Sequence, residues 1–363
     1  MRTRRSITSA EAYPSQIAVL AFMASVTFKV LMLPRYFAGE CGRQSWIAMS
    51  LMMLLDTAMF AFVYKIACNG GIRNLDIPLW IKNSAIAIAV AGCLLKAVLF
   101  YSECIAYTAT ALFDEGLWRL IVAGFFPVLA YVAYKGLNVL ARTAQVVIWL
   151  VGAVIAINVL LADFQGDIET VLPVVPSVRL ASACDRYLFW FGDFTPFMFF
   201  SVTSSSRKKH APVFVSLAFL FVFTVGFVIA LDSVFGGGSA LISFAFGKLA
   251  IFNKLSRLLG ALDFPVVCVW LLMATVKLSL LLSAACEGLT HFTGGRGVWA
   301  VFLAAAASAV CKLAVGNLAN AHVFFTGRIR YFAAVSEYVV PMAVYAAYEI
   351  SRRVKARRER LPA

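Results

Sequence analysis

The stretch Trp190-Phe191-Gly192-Asp193-Phe194-Thr195-Pro196 sets a glycine, an acid and a proline inside an otherwise apolar run over residues 183 to 204. A proline has no backbone N–H, and its ring clashes with the carbonyl four residues earlier. A helix entering at 183 is therefore expected to break just before Pro196. The competing reading is a proline kink held by neighbouring helices. In a membrane, a true break exposes backbone donors and acceptors at mid-depth, which is tolerated only where they line a cavity or bind something. Asp193 adds to that demand, because a charge at the bilayer centre costs at least about 2.5 kcal/mol unless it finds a partner, water or a ligand.

Composition says that a membrane is the right setting. Of 363 residues, 62% are hydrophobic and 14% charged, and the mean hydropathy is +0.87, where a soluble domain is roughly half apolar and a quarter charged. The apolar residues run in blocks near the length of about 20 that a helix needs to cross a bilayer. An ordinary soluble enzyme is excluded. The net charge of +14 does not point to nucleic acid, since no basic motif interleaved with aromatics accompanies it. Much of the excess sits at Arg2, Arg4 and Arg5 and in the tail Arg352, Arg353, Lys355, Arg357, Arg358 and Arg360.

Working outward from the sixth run, apolar blocks bounded by charges, Pro and Gly lie at 14 to 37, 45 to 67, 83 to 113, 117 to 134, 137 to 161, 183 to 204, 211 to 231, 258 to 287, 298 to 315 and 330 to 350. The fold class expected is an all-α integral membrane protein with ten spans and no separate soluble domain. An even count puts both termini on one side, and the excess of Lys and Arg in alternate connections makes that side cytoplasmic. The first apolar run continues through Phe37 without a small-residue cleavage site, so it reads as a span and not as a removable signal. Two connections on the opposite side, 162 to 182 and 232 to 257, are long enough to lie as lids over a central cavity. The second opens with Gly236, Gly237 and Gly238 and continues as a short amphipathic piece from Ser239 to Phe252.

Further charges fall at membrane depth: Lys29 in span 1, Asp56 in span 2, Lys96 and Glu103 in span 3, Lys277 in span 8 and Glu337 in span 10. Their number argues for a ligand-lined or aqueous interior. Lys96 and Glu103 stand seven apart, on one helical face that Tyr107 extends. They form either an intramembrane ion pair, with Lys277 as a further partner, or a ligand contact. Lys277 can stand in for a bound cation by placing its ammonium between helices, or it can snorkel to the interface. Span 1 carries a small and hydroxylated stretch, Phe22-Met23-Ala24-Ser25-Val26-Thr27-Phe28-Lys29, ahead of Leu33-Pro34. It is a weaker candidate for a second break, because it has no glycine. Spans 1 and 6 are five apart, as two inverted five-helix repeats with paired broken helices would place them.

No metal site, disulfide framework or cofactor motif appears. The cysteines at 41, 68, 93, 104, 184, 268, 286 and 311 show no CxxC or Cys/His spacing. His210, His291 and His322 fall near span ends, and no HExxH, GxSxG or Walker pattern occurs. The chain does not read as an enzyme.

Several short segments in order resemble the spore germination permeases, the membrane-embedded B subunits of nutrient germinant receptors in the amino acid, polyamine and organocation transporter superfamily. They are Gln16, Phe22 and Leu31-Met32-Leu33-Pro34 in span 1, Gln44-Ser45-Trp46-Ile47 opening span 2, and Lys135-Gly136-Leu137-Asn138-Val139-Leu140-Ala141-Arg142-Thr143-Ala144 entering span 5. Leu172-Pro173-Val174, Phe191-Gly192-Asp193 and Trp270 complete the set.

The resemblance implies a LeuT-like 5+5 inverted repeat with spans 1 and 6 broken. Its repeats would cover about 14 to 161 and 183 to 315 of a single transmembrane domain, 1 to 363. A last span at 330 to 350 and a basic tail at 351 to 363 would follow. By position it implies a ligand site formed by Ala24, Ser25, Thr27, Glu103, Tyr107, Gly192, Asp193 and Thr195, with Lys29, Lys96 and Lys277 as ion-pair or cation-substituting groups. It further implies an amino acid or similar nutrient as ligand, A-type and C-type receptor subunits as partners, and the inner spore membrane as location. Two departures stand out: span 1 has no glycine pair, and Asp193 stands where a longer acid is common. The alternative function is a proton-coupled amino acid transporter with Lys277 or Glu103 as the titrating group.

Overall fold

The computed structural model describes residues 10–112, 118–161, 169, 171–172, 179–203, 210–251, 263–293, 295–315 and 318–358. In chain order the helices are α1 (Pro14–Lys29), α2 (Leu33–Cys41), α3 (Ser45–Cys68), α4 (Leu79–Leu112), α5 (Trp118–Lys135), α6 (Leu137–Leu161) and α7 (Arg179–Arg186). They continue with α8 (Ala211–Phe235), α9 (Ala245–Ile251), α10 (Asp263–Thr293), α11 (Arg296–Val315), α12 (Leu318–Thr326), α13 (Ile329–Ala334) and α14 (Val340–Arg358). A π-helical turn, Val335–Val339, joins α13 to α14. Two three-residue strands, β1 (Ala10–Ala12) and β2 (Phe200–Val202), pair in parallel.

Five helical stretches are long and apolar enough to cross a membrane: Leu33–Cys68, Leu79–Thr108, Leu137–Val154, Ala211–Leu241 and Pro265–Thr293. This follows from the sequence, where runs of Leu, Val, Ile, Ala and Phe favour the one structure that satisfies every backbone group from within. Their outer faces are apolar too. Phe214, Val215, Phe219 and Val222 on α8 and Val146, Trp149 and Leu150 on α6 are exposed, as lipid-facing residues are. The most buried of the five is α10, which packs against α1, α4, α5, α6 and α11.

Seven of the ten apolar blocks coincide with one described helix each, apart from end residues, and the tenth runs through α13, the π-helical turn and α14 without interruption. The two exceptions are the candidate broken spans. The first block is α1 followed by α2, with the interruption at Val30–Met32. The stretch Phe22 to Lys29 is regular helix, so the break falls just C-terminal to the residues expected to carry it. The cause is Pro34: with no N–H it cannot continue the ladder, and it sits instead in the first turn of the new helix α2.

The sixth block departs further. Only α7 is α-helical. After it come a 3₁₀ turn at Leu188–Trp190, an extended Phe191, a second 3₁₀ turn at Thr195–Phe199 and then β2. The reading of a simple proline kink is overturned, because the α-helix does not resume after Pro196. The backbone groups released find other partners. Ile72 N–H donates to Met198 O (2.8 Å), and Thr203 N–H donates to Ala12 O (3.1 Å).

β1 and the C-terminal part of α14 gather at one end of the bundle. There β1 pairs with β2, Tyr348 Oη donates to Asn69 Oδ1 (2.8 Å), and Lys355 Nζ lies 3.3 Å from Asp76 Oδ2. Gly71, at φ +75°, lets the turn after α3 press against β2, where a Cβ would stand 2.5 Å from Phe200 O. The opposite, distal end is closed by α2, α7, α9 and α12. The connection after α8 packs over α2 as the lid reading expected: Ala245 N–H donates to Leu31 O (2.9 Å) and Arg35 Nη1 to Ser243 Oγ. Residues 162–168 and 173–178, most of the other expected lid, lie outside the described residues, as does Phe252.

Candidate ligand site

The unwound segment around Gly192 exists because its neighbours demand it. Gly192 has φ +76°, a region that glycine enters without a Cβ penalty. It also lies against the π-helical turn, where a Cβ would overlap the Glu337 side chain and stand 2.7 Å from its Cγ. The freed N–H of Gly192 donates to Asp56 Oδ1 (2.8 Å), and the freed carbonyl of Phe191 accepts from Lys96 Nζ. The two sides of the break are thus held by charged side chains from α3 and α4.

Asp193 then sits where three ammonium groups converge. Lys277 Nζ of α10 lies 2.9 Å from Oδ1, Lys29 Nζ of α1 lies 3.2 Å from Oδ2, and Lys96 Nζ of α4 lies 3.6 Å from Oδ1. All four side chains are at most 1% exposed. Lys29 also pairs with Asp56 Oδ2 at 2.5 Å and donates to Ser25 Oγ at 2.6 Å. Lys96 has a second carboxylate, Glu337 Oε1, at 3.7 Å. Glu337 accepts from Thr195 Oγ1, and Tyr338 Oη donates to Asp56 Oδ1 (3.1 Å). Each ion taken from water into the core costs several kcal/mol, a cost that the paired charges can offset only together.

Lys277 is held by a cation–π contact as well as by charge. Its Nζ lies 3.8 Å from the Phe100 ring centroid and 5.2 Å from that of Phe28. Its Nζ and both Asp193 oxygens are buried and make ion-pair contacts without hydrogen-bond geometry among the described residues. The snorkelling reading of Lys277 is thereby overturned, since the side chain points into the core.

The residues named from the sequence divide as follows. Gly192, Asp193, Thr195, Lys29, Lys96, Lys277 and Ser25 belong to one connected network. Ala24 is buried on the same helix as Lys29. The Thr27 hydroxyl turns back to its own helix at Met23 O, while the Thr27 carbonyl accepts from Trp270 Nε1 (2.7 Å). Tyr107 packs edge-on against Trp270 at 4.7 Å and beside Phe244 of the distal connection at 4.9 Å. Glu103 is not the partner of Lys96: the expected pair is replaced by Lys96 with Asp193 and Glu337, and Glu103 Oε1 instead accepts from Trp190 Nε1 (2.8 Å).

Asp56, Glu337 and Tyr338 are network members absent from the sequence-derived site. The first two carried a signal, being acids at membrane depth. Tyr338 carried none. Above the network towards the distal end, Tyr36, Tyr187, Trp190 and His322 form an aromatic cap. Tyr36 stacks on Tyr187 at 5.1 Å and lies 4.5 Å from His322, and Trp190 is 5.7 Å from Tyr36 and 5.5 Å from His322. Arg330 to Asp185 (2.6 Å) and Arg186 to Glu40 tie the same end with ion pairs.

No protein-family model and no curated protein matches the chain. Among solved structures it is similar to MhsT, determined in complex with L-phenylalanine. The TM-score is 0.57 at 16% identity, over 93% of this chain and 89% of that one. The likeness extends along nearly the whole of both chains, and the fold is of the LeuT-like class.

Proposed function

We propose that the chain is a ten-span, 5+5 inverted-repeat permease that binds an amino acid beside the unwound sixth span and moves it by alternating access. The observation that carries this reading is the convergence of Lys29, Lys96 and Lys277, from three different helices, on the single carboxylate of Asp193 in a non-helical segment. Such a segment gathers paired charges of both signs beside an interrupted helix, which matches the two charged ends of a zwitterion. The fold shared with MhsT, which was determined with L-phenylalanine bound, supports the same ligand class.

In this reading the three lysines supply positive charge within the protein, so a sodium ion is not required, and a proton gradient is the driving force. Both termini face the cytoplasm. The narrower reading, a germinant-receptor B subunit that senses a nutrient beside A-type and C-type subunits in the inner spore membrane, rests on the ordered segments that resemble that family. Uptake of radiolabelled amino acids by proteoliposomes containing this chain alone separates the two. Gradient-driven accumulation that persists without sodium supports the permease. Saturable binding with no accumulation supports the sensor, and neither binding nor uptake overturns both.

A further inference from the structure

The buried network does not balance. Lys29, Lys96 and Lys277 are met by Asp56, Asp193, Glu337 and, one step away, Glu103, which makes three cations against four carboxylates. Three of the acids are accounted for. Asp56 lies 2.5 Å from Lys29 Nζ, Asp193 is within 4 Å of all three lysines, and Glu337 is 3.7 Å from Lys96 Nζ. Glu103 makes no ion pair among the described residues and is only 3% exposed. One of its oxygens accepts from Trp190, and the other, Oε2, is buried with no hydrogen-bond partner.

An uncompensated carboxylate at this depth carries a large desolvation cost, and a proton or a cationic group removes it. Among the described residues, the groups that face Glu103 leave no other remedy. Lys277 on α10 is already paired with Asp193. Tyr36 on α2 and Trp190 in the sixth span are uncharged, with Tyr187 and His322 lying behind them. On its own helix stand Cys104, Tyr107 and, two turns away, Lys96, which is turned to Phe191 O.

We propose that Glu103 is the exchangeable-proton site of the protein: it holds one proton when no ligand is bound and accepts the ligand's ammonium group on Oε2 when one is. The step balances simply. The carboxylic acid gives its proton to solvent, the carboxylate that remains pairs with the ammonium, and no other bond is made or broken. Binding of each primary ammonium thus releases one proton. This assignment rests on the amino-acid reading above only for the identity of the displacing group.

Infrared spectroscopy of the purified full-length protein in D₂O tests it. At neutral pD the ligand-free wild type should show a protonated-carboxyl C=O band that Glu103→Gln removes, and an equimolar mixture of the twenty standard amino acids should bleach that band in the wild type. Should Glu103→Gln fail to fold, Trp190→Phe serves instead: loss of the indole donor should shift the band without abolishing it. Absence of the band, its persistence in Glu103→Gln, or its indifference to Trp190→Phe overturns the proton assignment. A band that the mixture leaves unchanged overturns the ammonium exchange. If proteoliposomes nevertheless accumulate amino acids, the transport reading stands and only this inference falls.

Discussion

Gly192 and Glu337 approach so closely that a methyl group at 192 would overlap the glutamate side chain, with the new Cβ 2.7 Å from Glu337 Cγ. The contact joins the unwound segment around Gly192 to the π-helical turn between α13 and α14. It also turns the Gly192 N–H towards Asp56 and leaves the Phe191 carbonyl to Lys96. The position and shape of the site follow from that one glycine.

Gly192→Ala should therefore be among the most damaging single-methyl changes in the chain. Holding an alanine at this left-handed φ costs about 1–2 kcal/mol, and overpacking adds roughly 1–3 kcal/mol. The expected outcome is a sharp drop in melting temperature in detergent. Gly226→Ala, where a Cβ would meet nothing within 4 Å, should melt as the wild type does.

Asp193→Asn removes the only carboxylate within 4 Å of Lys277 among the described residues and leaves a buried ammonium unpaired. Breaking such a pair costs about 3–5 kcal/mol. Lys277→Met should cost a similar amount by stranding part of Asp193, although Lys29 and Lys96 remain beside it. The double variant should recover some of the loss. Unfolding of the four proteins gives the coupling directly, with an expected value of roughly 0.5–3 kcal/mol. Strict additivity would show that the contact carries no energy.

The aromatic cap at the distal end should respond to acid. His322 lies in α12, between α11 and α13. Burial, reinforced by Arg186 and Arg35, holds its imidazole below the usual histidine range. A group depressed in the closed state stays neutral there, while in an opened or unfolded state it takes up a proton near pH 6.5. The closed cap is therefore at full stability above that pH and loses stability as pH falls through it. Hydrogen-exchange protection of the α12 amides, referred to the intrinsic exchange rate at each pH, should fall between pH 8 and pH 5, and His322→Phe should flatten the dependence.

Much of this was legible in the sequence, for a physical reason: blocks of apolar residues ended by Lys, Arg, Pro and Gly mark helices wherever water is absent. The helix starts at 45, 137 and 211 coincide with the block starts, and the block start at 117 falls one residue before the helix at Trp118. Gly192-Asp193 together with Pro196 marked the second break because each residue opposes a continuous helix in a different way. The first break was displaced because Pro34 governs the backbone on its N-terminal side, whereas the small residues at 24 to 27 do not oppose helix at all.

Thr195 to Val202 misled because Phe-Met-Phe-Phe is as apolar as any buried helix. Its pairing with Ala10–Ala12 depends on a partner that lies almost two hundred residues away. Asp56 and Glu337 were visible as buried acids, but their convergence on Lys29 and Lys96 is a property of packing. The same holds for Glu103, whose face on α4 matched Lys96 by spacing while the lysine turned to Asp193.

The central claim is that this network binds an amino acid through its charged ends, and equilibrium binding to the purified protein tests it most directly. A panel of radiolabelled amino acids is titrated against the wild type and Lys277→Met, each first confirmed to be folded and monodisperse. Saturable binding of at least one amino acid by the wild type is expected, at one site per chain, with a loss of roughly a hundredfold or more in affinity in Lys277→Met. That corresponds to about 2.7 kcal/mol. Equal affinities for the two proteins, or no saturable binding of any amino acid by the wild type, would contradict it.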